Sequence, residues 1–133
     1  MEYKKSYKGF VIWMIGFVVI SFSVCFLPFD ESIMTRVTLN VCTISIAILA
    51  YIIYKTEYVY WYNGTPFEEA LLAGSLRRKV FAMRHLKRFG LFAMVYLILS
   101  VILHVLNIGI WADIVVVTIG LIAVAISTIP IKL

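Results

Sequence analysis

The chain reads as an all-α integral membrane protein: four transmembrane helices arranged as two hairpins, with one amphipathic helix between the second and third spans. Three observations predict this. Of its 133 residues, 63% are hydrophobic and only 14% charged, against about 45–50% and 25% in an ordinary soluble domain. Four stretches without charge reach or approach the roughly 20 residues that cross about 30 Å of hydrocarbon. Of the 12 Lys and Arg residues, all but Arg36 fall on one side of those stretches.

The composition excludes a soluble enzyme, which would need polar surface over most of its exterior. It also excludes a disordered tail, whose signature is low hydrophobicity with high net charge; here mean hydropathy is +1.01. The formal net charge of +5 does not by itself point to nucleic acid, because membrane proteins accumulate Lys and Arg on the cytoplasmic side.

The first span is expected over about 9–29. Lys4, Lys5 and Lys8 precede it, and no small-x-small cleavage site follows, so it reads as an uncleaved anchor. Cys25 follows Val24, which argues against a lipoprotein. A short turn around 28–36 leads to a second span at about 35–54. The apolar run after Arg88 is interrupted only by Asp113. As one helix it would be about 65 Å long, twice the membrane, so it must fold back. Asn107, Gly109 and Asp113 mark the reversal, giving spans of about 89–107 and 112–131.

Between the two hairpins, residues 55–88 form the one segment long enough for structure of its own. Thr65-Pro66-Phe67-Glu68 predicts a helix start, with Thr65 as N-cap, Pro66 at the first helical position and Glu68 closing a capping box. The helix is expected over about 66–88, leading into the third span through Gly90. Leu72, Leu76, Val80 and Met83 make one stripe, and Arg77, Arg84 and Arg88 another. Glu68 and Glu69 lie in the first turn and most cations in the last three, as the helix dipole favours.

The bias of Lys and Arg predicts both termini and residues 55–88 on the cytoplasmic side of the plasma membrane. Aromatic residues fit an interfacial belt: Tyr7, Trp13, Tyr51, Tyr54, Tyr58, Tyr60, Trp61 and Tyr62 near one edge, Trp111 near the other. Asn63-Gly64-Thr65 is a glycosylation sequon that this topology keeps from modification.

Small and polar residues recur at heptad spacing in the spans, which suits close helix packing in lipid. Asn40, Thr43, Ser100, His104 and Asp113 are also the residues from which a polar path or pocket would be built. His104 is the one side chain in a span whose ordinary pKa lies near neutrality. No Asp, Glu, Lys or Arg is expected mid-span, which disfavours a proton-coupled exporter. Cys25 and Cys42 show no CxxC or metal-ligand spacing, so neither metal nor cofactor is expected. No nucleophile, base and carboxylate share a plausible depth.

Arg78 and His85 form an Arg-x6-His pattern that resembles the signature of some RNA-cleaving helical domains. Those sites need a polar, dimeric bundle, which this loop is too short to build, and no nucleic-acid partner is expected. Arg77, Arg78, Arg84, Lys87 and Arg88 are instead expected to contact anionic lipid or a protein partner, at about 1 kcal/mol per cation near the surface. The basic segment from Arg77-Arg78-Lys79 to Arg88-Phe89-Gly90, placed before a helical hairpin, resembles that of small multi-pass proteins of low-GC Gram-positive bacteria. The resemblance implies a bacterial membrane protein and no particular activity.

The function expected from these features is that of a non-enzymatic accessory, regulatory or immunity-type component of a membrane assembly, partnered by lipids and by a membrane protein or further copies of itself. The alternative is a homo-oligomeric channel or transporter whose path is lined by Asn40, Thr43, Ser100 and His104. A membrane-embedded lipid-modifying enzyme is a third class, for which His85 with Glu68 and Glu69 is the one cluster available.

Overall fold

Residues 3–62 and 64–133 are described by a computed structural model; the sequon's Asn63 lies outside them. The order is α1 (Lys8–Val24), α2 (Glu31–Thr56), a 3-10 turn (Val59–Trp61), α3 (Phe67–Val105) and α4 (Ile110–Thr128). No strand occurs among the described residues. Three helices, α2, α3 and α4, are long and apolar enough to cross a membrane, while α1 is a shorter apolar helix of 17 residues.

Each boundary has a local cause. Asp30 caps α2, its carboxylate accepting from the Ile33 amide at 2.9 Å. The helix therefore starts earlier than about residue 35, and Arg36 lies about one and a half turns inside it instead of in a turn. The reversal between α3 and α4 is a Schellman motif. Asn107 takes a φ of 53°, its amide donates to the His104 carbonyl and the Ile108 amide to that of Leu103, both at 3.0 Å. Asp113 belongs to the first turn of α4 and not to the reversal.

The separate helix expected over 66–88 is corrected in two ways. Pro66, not Thr65, occupies the N-cap position, and no side chain caps it, so the capping box is not made. A break lies at Gly74, and the helix runs on through Gly90. Gly74 has φ 75° and ψ 163°, a region essentially closed to residues with a Cβ. Beyond it, Ser75–Val105 is one helix about 46 Å long, so the cation-bearing turns and the apolar ones share a single stiff rod.

Helix α2 packs chiefly along α3, α4 touches both, and α1 packs on α2. Phe92 of α3 lies so close to Gly120 of α4 that an added Cβ would overlap its ring, the close approach that small residues permit between helices in lipid. Trp13 of α1 donates to the Ser45 carbonyl of α2 at 3.0 Å. Cys25 and Cys42 are free thiols, and Cys25 is exposed.

The main apolar core is at the cationic end. It joins Ile53, Val59, Tyr60, Ala70, Phe81 and Ala82. The aromatic run after α2 is thus packed inward in part, with Val59 fully buried and Tyr60 7% exposed, where an interfacial belt was expected. Residues 3–7 are stitched to it: Tyr60 Oη accepts from the Ser6 amide at 2.7 Å and donates to its carbonyl at 2.8 Å, and Trp61 Nε1 donates to the same carbonyl at 3.0 Å.

Candidate functional site

The start of α2, the end of α3 and the start of α4 meet at the end of the molecule away from most cations. There Arg36, 6% exposed, faces Asp113, which is fully buried. Arg36 Nε donates to Asp113 Oδ2 at 2.9 Å. Nη1 donates to Ser32 Oγ at 3.1 Å and to His104 Nδ1 at 3.0 Å, and Nη2 donates to the Ile108 carbonyl. With the Arg36 bond accepted at Nδ1, the proton of a neutral His104 ring sits on Nε2. Tyr96, itself fully buried, donates to Asp113 Oδ1 at 3.1 Å.

The helix ends favour this arrangement. Asp113 stands in the first turn of α4, where the dipole stabilises a carboxylate, and the guanidinium bonds the Ile108 carbonyl in the reversal between α3 and α4. Charges removed from water are tolerated when paired and when their remaining donors and acceptors are occupied. Both Asp113 oxygens and three nitrogens of Arg36 are occupied here.

One turn further in, Asn40 Nδ2 donates to the Arg36 carbonyl and to Ser100 Oγ, both at 2.9 Å. Asn40 Oδ1 is buried without a partner among the described residues. Four of the five residues of the expected polar path, Asn40, Ser100, His104 and Asp113, therefore join one network. Thr43 is buried but donates to the Asn40 carbonyl of its own helix at 3.0 Å. The residues missed were Arg36, the hub of the network, and Tyr96.

A second cluster lies at the opposite end of α2. Glu57 ends that helix with a φ of 62°, unusual for a residue with a side chain. Its carboxylate accepts from Arg78 Nε and Nη2 at 3.1 and 3.0 Å, from Ser75 at 2.7 Å, and pairs with Lys79 at 3.4 Å. Burial alone would raise this carboxyl. The hydrogen bonds from Ser75, Arg78 and Lys79, with the Arg78 charge, outweigh it and hold Glu57 below the usual range. The remaining face of Arg78 lies over the Tyr3 ring at 3.9 Å, and Nη1 donates to the Ala70 carbonyl at 3.0 Å. Burial pushes the Tyr3 phenol up to about 12.

Of the five cations expected to meet lipid or a partner, Arg78 is thus 7% exposed and occupied within the chain. Arg77, Arg84, Lys87 and Arg88 are exposed. His85 is buried, its ring stacked on Tyr62 at 4.2 Å, so the Arg78 and His85 pair is engaged in packing. Leu72 and Leu76, from the apolar stripe, are 87% and 79% exposed.

These elements define an all-helical chain with three helices able to cross a membrane, closed at each end by a buried arginine and a carboxylate. Comparison with protein-family models, curated proteins and solved structures finds no match. No group of three or more His, Cys, Asp and Glu suited to a metal occurs among the described residues.

Proposed function

We propose that the chain is a four-span protein of the bacterial plasma membrane, with both termini and residues 55–88 cytoplasmic, acting as a non-enzymatic accessory, regulatory or immunity-type component of a membrane assembly. The observation that carries this is a contrast in occupancy. Polar groups between the helices are largely consumed by one another, whereas Arg77, Arg84, Lys87 and Arg88 stand exposed on the arm of α3, with Leu72 and Leu76 exposed nearby. Exposed cations beside exposed leucines suit a contact with an acidic protein surface or anionic headgroups. The cation bias supports the orientation. The uncharged run of 9–29, longer than α1 itself, supports a fourth span.

The channel alternative has one observation in its favour, the unpartnered Asn40 Oδ1. Against it, the network ends there: the buried residues of α2 beyond Thr43 are Ser45, Ala50 and Ile53. Solubilisation in mild detergent should recover a stoichiometric protein partner, and the triple change Arg77→Glu, Arg84→Glu and Arg88→Glu should release it. Recovery of the chain alone, with ion flux through liposomes that contain it, would favour the channel.

A further inference from the structure

At the cationic end a cavity of about 780 Å³ opens between the segment after the 3-10 turn, α3 and the last turns of α4, a size within the usual range of small-molecule sites. Its apolar lining includes Phe89, Ile126 and Ile129, and its polar lining Tyr62, Glu69, His85 and Lys132.

The polar lining is unfinished. Tyr62 Oη is buried with no partner among the described residues, an arrangement that an arriving acceptor relieves. His85 is held between Tyr62 and Phe81, with ring centroids at 4.2 and 4.5 Å. Its Nδ1 donates to the Phe81 carbonyl at 3.0 Å, so in the neutral ring Nε2 is the acceptor. Burial pushes this imidazole below its ordinary value, which keeps it neutral at pH 7. Glu69 and Lys132 add one charge of each sign. The cavity therefore offers donors and a cation for an anion, together with acceptors and an anion for an ammonium group.

We propose that this cavity binds the headgroup of a zwitterionic, amine-bearing phospholipid, its phosphate taken by Tyr62 and Lys132 and its ammonium by Glu69 and His85. The apolar lining identifies the source as a membrane lipid. It continues along α4 into Ile122, Ile126 and Ile129, which are 55%, 59% and 75% exposed, and a soluble phosphoester would leave that surface unused. Of the exposed cations of α3, Arg88 lies near enough to act on His85, but the cavity does not depend on the role proposed for them.

The test is the thermal unfolding midpoint of the full chain in lipid-free detergent, titrated with dioctanoyl phosphatidylethanolamine, dioctanoyl phosphatidylglycerol or free phosphoethanolamine. The first should raise the midpoint saturably and bind about tenfold tighter than the second, and the third should do nothing. Tyr62→Phe, which keeps the ring stack, and Glu69→Gln should each weaken the first ligand about tenfold, the equivalent of one strong hydrogen bond. Equal responses to the two lipids overturn the proposal, as does an unchanged response in both variants. A midpoint raised by phosphoethanolamine alone would overturn the assignment to a membrane lipid. Should Glu69→Gln fail to fold, the selectivity of the unmodified chain decides.

Discussion

Arg36, near the start of α2, and Arg78 of α3, beside the end of α2, are each paired with one carboxylate, at 2.9 Å to Asp113 and 3.0 Å to Glu57. Their surroundings differ. The Arg36 pair joins α2 to α4 across 77 residues of sequence, with Tyr96 and His104 of α3 bonded to it, and both side chains are almost wholly removed from solvent, at 7% and 0%. The Arg78 pair spans 21 residues, retains 17% exposure at Glu57 and shares its carboxylate with Ser75 and Lys79. The first holds helices to one another; the second holds the end of one helix to the flank of the next. An ion pair deep in the packing has no water to replace a lost partner, so the same chemistry should cost more to disrupt at Arg36 than at Glu57.

Mutation can break that comparison directly. Arg36→Leu should destabilise the fold by about 3–5 kcal/mol, because Asp113 is left buried and uncompensated. The double change Arg36→Leu with Asp113→Leu should recover most of that loss. A double variant no more stable than the single one, in denaturant unfolding from micelles, would mean that the pair's hydrogen bonds matter more than its charges.

A smaller effect is expected at the other end. Glu57→Gln should cost about 1.5–3 kcal/mol, the range for hydrogen bonds to a charged group. Because the folded carboxyl is held below its ordinary value of 4.5, this contribution is fully present above that pH and is lost as pH falls through the folded value. The gap in melting midpoint between the native chain and Glu57→Gln should therefore be widest near neutrality and close in acid. A gap independent of pH would assign the effect to packing.

The smallest change expected is at the glycine that lets α3 turn back toward Arg78. Gly74→Ala forces a side chain into a backbone region that excludes it and should cost about 1–3 kcal/mol. It would also disturb the placement of the Ala70 carbonyl against Arg78. Coupling between Gly74→Ala and Glu57→Gln in a double-mutant cycle would sharpen the view that one cluster includes both residues.

Much of the helical layout was legible. Uncharged runs marked the helices, and Asn107 with Gly109 marked the reversal before α4. The arginines were not legible for their partners. Sorting cations by side assigned Arg36 to a turn, although Asp30 followed by Ile33 three residues on is a cap signal that places Arg36 inside the helix. Apolar periodicity misled on α3 for a physical reason. An apolar stripe does not say which surface covers it, and Leu72 and Leu76 are exposed while Arg78, Phe81, Ala82 and His85 form the buried stripe. The polar path was half legible: its residues share a heptad register, but their bonds close on Arg36, which register alone does not reveal.

The 77-residue separation of Arg36 from Asp113 has a consequence for biogenesis. At about 5–20 residues per second of synthesis, the guanidinium waits some 4–15 s after it is made before its counter-ion exists. A site one and a half turns from the start of α2 is shallow enough for a long side chain to reach interfacial water during that wait. Pairing therefore follows formation of the α3–α4 hairpin, so the ion pair forms only once that hairpin has folded against α2.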